Sequence, residues 1–415
     1  MGTLEGESRR TDVLIVGAGL VGSAVAMHLA RLGRTTVTVI DYDLEGSLSS
    51  SELNAGGVRA TWVQPINVEM SRDTIRYLAS IAPEVGYRPC GYLWLHGADR
   101  LKRALAASEL QQRLGWEVQA WDVAELRRRV PFIDKTDDIA GALFAPQDGL
   151  VNSNLLKNHF RAQAREAGVK FVDRTLLRSG TRHAGAHFLS CERFADVQSH
   201  DELLGVFEGK TPPNTGKREN YEAQVVVNCA GAWAGEVARR LGYSSPARPV
   251  RRQVSIFDSR EVDLSPYGMI VDTTGVYFHP EAMNGLAGFA PPDEPPGVNY
   301  QYDGESFFQE RIWPALFERS SGFEKLKHLT GWSGQYEVSP DECAIIGRVE
   351  TGEVGAEGAV YEAHSFSGHG VMHCYSAGLA LAELITRGRY QTLDVSPLAA
   401  TRFAAGREIR EGLVI

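Results

Sequence analysis

The sequence predicts an α/β protein in which a Rossmann-type dinucleotide-binding domain is joined to a second domain, a mostly antiparallel β-sheet with helices. Three observations predict it. Near the N-terminus an apolar strand pattern runs into Gly17-Ala-Gly-Leu-Val-Gly22, then an apolar-faced helix, then a β-branched run ending on Asp41. Residues 223–242, AQVVVNCAGAWAGEVARRLG, repeat the order strand, small-residue turn, helix. Residues 248–335 change to alternating strand-like stretches, RRQVSIFD, GMIVDT, GVYFHP and GLAGFAPP, with one helical segment at 307–320.

Each part of the first constellation has a physical task. Residues 11–16 read as a buried strand, 23–32 as a helix and 35–40 as the second strand. Gly17 permits the turn, Gly19 lets a pyrophosphate approach the backbone, and Gly22 lets helix and strand pack closely. The helix N-terminus then faces negative phosphate. Asp41, 19 residues after Gly22, accepts hydrogen bonds from a ribose 2′-OH and disfavours a 2′-phosphate. The motif alone does not separate NAD from FAD.

Further along, residues 43–60, DLEGSLSSSELNAGGVRA, form a polar, glycine-rich loop that would extend along a cofactor longer than the adenine half of NAD. Residues 74–78 and 101–114 read as helices and YLWLHG, 92–97, as a strand. LLKNHFRAQAREAGVKFVD, 155–173, is a helix with a glycine stop leading into a strand. Residues 180–220 are polar, contain GKTPPNTGKREN and read as a long surface hairpin or excursion.

With 415 residues the chain is long enough for two cores. Hydrophobic residues at 43% and charged residues at 23% exclude a disordered chain and a membrane bundle. The net charge of −9 argues against nucleic acid, whose phosphates call for excess Lys and Arg. Five scattered cysteines without CxxC spacing fit neither a disulfide framework nor zinc, and no cluster suggests another metal. The expectation is a reducing compartment, cytoplasm or organelle matrix, with no membrane span. Arg9 and Arg10 precede an apolar run, but Glu5 and Glu7 and the regular glycines speak against an export signal.

The closing segments are GWSGQYEVSPDECAIIGRV and, from 366, FSGHGVMHCYSAGLALAELITRG. With the first glycine motif, VVVNCAGAWA and SPDECAIIG, they resemble the flavoprotein family of D-amino-acid oxidase, sarcosine oxidase and glycine oxidase over nearly the whole chain. The resemblance implies a glutathione-reductase-like FAD fold of that type. It implies a discontinuous FAD-binding domain, residues 1–80, 146–247 and 331–415, and a substrate-binding domain, 81–145 and 248–330. It implies pyrophosphate on Gly17, Gly19, Leu20 and Gly22, ribose on Asp41 with Tyr42 beside it, and adenine on Val172. Ser49, Ser50, Asn54, Ala55, Gly56 and Gly57 would pass the ribityl chain and isoalloxazine. Ala230, Gly231 and Trp233 would sit near the pyrophosphate. Ser367, Gly368, His369, Gly370, Val371 and Met372 would close on the flavin's pyrimidine edge, where N–H donors and the helix end stabilise the anionic reduced flavin. His369 serves as a backbone contributor or in catalysis.

Such enzymes oxidise a C–H next to an amine nitrogen by hydride transfer to flavin N5, followed by imine hydrolysis, with a small amine or amino acid as substrate and O2 or another acceptor. Three departures from the family pattern follow. The cysteine that attaches flavin in monomeric sarcosine oxidases is matched by Gly334, implying non-covalent FAD. The lysine important for reaction with oxygen is matched by Ala287, which favours a dehydrogenase. The lysine that holds a substrate carboxylate is matched by Met372. Arg59 and Arg252 are the alternative cations, or ordinary surface arginines. Tyr277 and Tyr336 match pocket-lining positions or are core tyrosines, and Trp62 and Trp332 are pocket walls or core.

Two other readings stand beside this one. An NAD-linked dehydrogenase would leave the C-terminal glycine segment without a partner. A flavin-bearing assembly or interaction protein is suggested by ELNAGGVRATWVQPINVEMS, which resembles mitochondrial FAD-dependent oxidoreductase domain proteins that assist respiratory-complex assembly. Substrate, stereochemistry and oligomeric state are not legible.

Overall fold

The computed structural model describes residues 8–33, 35–195, 200–207, 216–350 and 358–413. Glu5, Glu7 and residues 209–215 of the GKTPPNTGKREN stretch lie outside them. The chain divides into two compact units, Met1–Glu52 with Ser153–Pro249 and Tyr336–Arg410, and Leu53–Asn152 with Val250–Gln335 and Glu411–Ile415. Residues 53–80 and 146–152 therefore pack with the second unit, where the sequence reading had grouped them with the first.

The first unit is built on a sheet whose main path runs Ile345–Arg348, Ala359–His364, Lys217–Asn228, Ser8–Val16, Val37–Ile40, Lys170–Val172. All neighbours on this path are parallel except Ile345–Arg348. The Val37–Ile40 strand is buried at every position, as a strand covered on both faces must be. The 180–220 excursion begins as a hairpin, Thr175–His183 with Ala186–Arg193, attached to Lys217–Asn228.

The helix after the glycine motif starts at Leu20, earlier than its apolar stripe indicated, with Gly19 as N-cap. It runs to Leu32 and packs on the long Gly370–Arg387 helix, where a methyl on Gly378 would lie 2.8 Å from Ala24 Cβ. Small residues at that crossing let the two helices approach.

The second unit holds an eight-stranded sheet in which one neighbouring pair, Met269–Val271 with Tyr92–His96, is parallel among the registered pairs. One face buries Leu93, Ile270, Phe278, Phe257 and Ala287 with Phe308 and Phe323 in an apolar core. By the period-two alternation of strands, the opposite face carries Tyr92, Trp94 and His96, with Tyr277 opposite Gly288 and His279 opposite Leu286. Pro65–Ser80 and Ala98–Arg113 supply its helices, the first much longer than the 74–78 pattern indicated. The expected 307–320 helix is Glu305–Phe317 with a π-turn at Phe308–Ile312, just before Pro314, whose missing N–H breaks the regular ladder.

This alternation corrects one expectation. Ala287, matched to the oxidase lysine by sequence, points into the apolar core, and the opposite face presents Leu286 and Gly288 instead. Ala287→Lys would bury an unpaired ammonium there. The expected result is a loss of about 3 kcal/mol or more in urea unfolding.

Candidate functional site

In the first unit, the turn after the first strand is fixed by close backbone contacts. Gly17 has φ +102°, and a methyl there would lie 2.3 Å from the Cys229 carbonyl oxygen. A methyl on Gly22 would lie 2.0 Å from the Gly17 carbonyl oxygen, so helix and turn touch backbone to backbone. A methyl on Gly19 would meet only Ser51 Oγ, at 3.0 Å. With no Cβ at Gly19, the Ser51 hydroxyl is, among the described residues, the one side chain close to this side of the loop.

The peptide groups of this turn are gripped by charge. Ala18 N–H donates to Asp41 Oδ2 at 2.6 Å, and Asp43 N–H donates to Asp41 Oδ1 at 2.8 Å. Burial pushes the Asp41 carboxyl above its ordinary range, while these two donors and Arg161 oppose the shift. The Ala18 carbonyl accepts from Arg161 Nε at 3.1 Å and from its Nη2, and Arg161 Nη1 reaches the Leu44 carbonyl at 2.6 Å. Lys157, also buried, donates to the Glu45 carbonyl at 3.0 Å and pairs with Glu52. Neither cation was singled out from the sequence. Their signal was positional: 157 and 161 fall on the buried stripe of Ser153–Glu166, among Leu156, Phe160 and Ala164.

Asp41 N–H donates to the Val172 carbonyl at 3.1 Å, which brings the expected ribose and adenine residues together. Tyr42 is buried, edge-on to Phe194 at 5.3 Å, and burial raises its phenol to about 12. Ser51 reaches the helix start, accepting from Leu20 N–H at 3.0 Å. Ser49 Oγ is buried with no partner. At the second turn Asn228 accepts from Ala230 N–H at 3.2 Å, and Gly231 has φ +53° with open space where a side chain would stand. Trp233 N–H donates to the Ala230 carbonyl at 3.0 Å.

The last turn gathers several expected residues. Ser367 and Gly368 have φ +50° and +92°, and His369 caps the Gly370–Arg387 helix. A methyl on Gly368 would lie 2.3 Å from the Tyr336 ring, so Tyr336 rests directly on the turn. His369, Val371 and Met372 are buried beside it.

In the second unit, Asn54–Gly57 lies on the Tyr92 face of the sheet. Gly56 N–H donates to Asn54 Oδ1 at 2.7 Å, and a methyl on Gly57 would lie 2.0 Å from the Tyr92 hydroxyl. Ala55, between them, is half-buried. Tyr277 is buried with its ring over Gly288. His96 and His279 are buried, and burial lowers each to about 4, so both are neutral at pH 7.

Arg59 differs from expectation. It is 1% exposed, its guanidinium lies 3.5 Å from the Trp62 ring centroid and 4.8 Å from that of Trp94, and it donates to the Thr61 and Leu413 carbonyls. Arg59 and Trp62 form an interior cation–π pair, so Arg59 is not a surface arginine and Trp62 is core. Glu411 secures the same stretch, accepting from Val63 N–H at 3.0 Å, Gln64 N–H at 3.2 Å and Asn67 Nδ2 at 3.0 Å. Arg252 is half-buried and donates to the Arg251 carbonyl. Trp332 donates to the Leu53 carbonyl at 3.1 Å, close to Gly334, whose own methyl would lie 3.0 Å from Leu53 Cβ. Among the described residues no His, Cys, Asp or Glu cluster could hold a metal, and no helix is long and apolar enough to cross a membrane.

The family described as FAD dependent oxidoreductase, DAO, matches residues 12–384. The chain belongs to that family. It is similar to the FAD-dependent oxidoreductase domain-containing protein 1 of Xenopus laevis, 28% identical over 441 residues that cover 98% of this chain and 85% of that protein. Among solved structures it is similar to L-proline dehydrogenase from P. horikoshii, with 22% identity and a TM-score of 0.81 over 97% of this chain and 100% of that one. Glycine oxidase from Geobacillus kaustophilus gives 21% identity and a TM-score of 0.76 over 95% and 99%.

The residues present in this DAO-family protein fit FAD. The absence of a Cβ at Gly19, the open space at Gly231 and the unpartnered Ser49 Oγ are what a bound dinucleotide needs.

Asp148 was missed entirely. Its Oδ1 accepts from Ala60 N–H and Trp116 Nε1, both at 2.9 Å, Oδ2 is buried without a partner, and burial raises the carboxyl to about 7. The folded protein therefore takes up a proton here between the ordinary carboxylate range and pH 7, and stability falls as pH rises through that window. Asp148→Asn removes this slope. Thermal melts at pH 5 and pH 8 are expected to shift the difference between the two proteins toward the variant at pH 8, by on the order of 2 kcal/mol.

Proposed function

We propose that this DAO-family oxidoreductase oxidises the C–N bond of an amine or amino acid, with a secondary amine or N-alkyl amino acid favoured. Bound FAD supplies a two-electron acceptor for the C–H next to nitrogen, as a hydride, and the resulting imine is hydrolysed by water. The observation that carries the reading is the Tyr92 face of the second unit's sheet, with buried Tyr277 and Trp94 and neutral His96 and His279. The sheet's own side chains on this face are neutral and the charge stacked on Trp94, the Arg59 guanidinium, is positive, and both favour the neutral amine, whose lone pair the oxidation requires, over its ammonium form.

The proposed assignments of the chain's residues follow from this. The turns at Gly17–Gly22 and Ala230–Trp233 hold the pyrophosphate with Asp41 at the ribose. Ser367–Met372 lies at the pyrimidine edge, and Tyr277 and Tyr336 orient the substrate. With Gly334 in place of a cysteine, FAD is held without a covalent bond. Arg59 is committed inside its own unit and Met372 stands where relatives carry a lysine, which favours a substrate that needs no carboxylate clamp. The Asn284–Phe289 strand has no lysine on either face, which favours a dehydrogenase over an oxidase. A flavin-bearing interaction protein is the second reading, favoured by the match to the Xenopus protein along 98% of this chain.

Anaerobic titration of the yellow protein with secondary amines, N-alkyl amino acids and L- and D-amino acids tests this reading. Bleaching by a member of the first two groups is expected, with reoxidation by air at least about tenfold slower than by an artificial acceptor. No bleaching by any of them, together with stable co-purification of a partner, would favour the second reading.

A further inference from the structure

Three charged side chains buried in the first unit remain unused by the reading above: Glu337, Glu362 and His364. The His364 ring places Nε2 3.0 Å from Glu362 Oε2, and Nδ1 2.7 Å from Ser365 Oγ and 3.6 Å from Glu337 Oε2. The backbone next to it is strained. Ser365 and Ser367 adopt φ +57° and +50°, left-handed values that strain an L residue. Glycine would remove that strain, but in this turn it stands only at Gly368, whose φ is +92°.

The turn is held in this shape by Glu337. Its Oε2 accepts from Ser365 N–H at 2.8 Å and its main-chain carbonyl accepts from Ser367 N–H at 3.1 Å. The other carboxylate reaches the second cofactor turn. Glu362 hydrogen-bonds the Tyr243 phenol, which accepts from Asn228 Nδ2 at 2.8 Å, and Asn228 Oδ1 holds Ala230 N–H. A chain of polar contacts thus runs from the Ala230–Trp233 turn to the Ser365–Gly368 turn, and His364 is the cation that joins its two acids.

We infer that His364 is a positioning residue for the flavin: held between Glu337 and Glu362, it locks the left-handed turn and couples it to the Ala230 turn. The inference rests on the reading that both turns meet FAD. Burial by itself would discharge the ring, but the two carboxylates outweigh it and keep it protonated to about 10. The groups facing it are Glu337, Glu362 and Ser365. Without the cation, two buried carboxylates face each other and one must take up a proton or leave.

The test compares the full-length protein with His364→Gln, Glu362→Gln and Gly368→Ala, by FAD titration of the apoprotein, flavin midpoint potential and far-ultraviolet circular dichroism. His364→Gln is expected to keep its secondary structure, bind FAD at least about tenfold more weakly, and favour oxidised over reduced flavin by a further factor of about ten. That factor corresponds to a midpoint lowered by about 30 mV for two electrons. Glu362→Gln retains an acceptor for Nε2 and is expected to stay within about threefold in affinity, without a lowered potential.

A folded His364→Gln with wild-type affinity and potential overturns the inference, leaving His364 a space-filling core residue. Where too little of it folds, Glu362→Ala decides by affinity: FAD binding weakened by about tenfold supports the inference, and wild-type affinity overturns it. Gly368→Ala separates the underlying reading, because its methyl would meet the Tyr336 ring. A flavin spectrum and affinity unchanged by Gly368→Ala would remove the turn from the flavin, and with it both that reading and this inference.

Discussion

Two successive peptide units, joined at Ala18, are gripped by opposite charges from two distant segments. The Ala18 N–H is held by Asp41 at the end of the second strand, and the Ala18 carbonyl is held by Arg161 on the Ser153–Glu166 helix. Burying a carboxylate and a guanidinium is costly unless both are hydrogen-bonded. Here they are, and their partners are the backbone groups of the turn that must face a pyrophosphate. The glycines allow the turn to exist, and the charges fix its orientation. The parallel strands on either side, with Gly22 pressed on the Gly17 carbonyl, leave little room for another arrangement.

The same device recurs at the other two turns of the first unit. Asn228 organises the turn at Ala230, and Glu337 holds the strained turn before the Gly370–Arg387 helix. In each case a buried polar side chain satisfies backbone groups that would otherwise favour a different conformation. Preorganisation of this kind lowers the ordering cost of binding and aims N–H dipoles before charge develops. The second unit is built differently. Its loop at Asn54–Arg59 is held by glycines against Tyr92 and by the Arg59–Trp62 stack, Glu411 holds the stretch from Val63 to Asn67 that follows, and its sheet offers an aromatic face whose own side chains are neutral.

The legible part of the site was the part written in local spacing. Gly17, Gly19, Gly22 and Asp41 follow one strand–turn–helix–strand rule, and the small-residue turn at Ala230 and the Ser367–Gly370 segment announce themselves by composition. Side chains that act across the sequence were not legible. Arg161 and Lys157 look like ordinary cations of an amphipathic helix until the helix is docked, and His364 needs acids from two strands to become a buried cation. Ala287 was misread because a strand reverses its facing with each residue, so a one-residue offset in matching moves a side chain from one face to the core. Arg59 follows a glycine pair and looks exposed in sequence, but a tryptophan three residues on captures it. The unit boundary at Glu52 and Leu53 falls inside a polar loop with no change in composition.

These observations make one physical claim: the cofactor turns are shaped by the protein's own buried charges before FAD arrives. Amide hydrogen exchange of the apoprotein and the holoprotein, followed across residues 17–23 and 365–372, tests it most directly. The account predicts strong protection of Ala18, Ser365 and Ser367 amides in the apoprotein, with little further slowing when FAD is added. Exchange at nearly unfolded rates in the apoprotein, with protection only after FAD binds, would contradict it and make the cofactor the organiser of its own site.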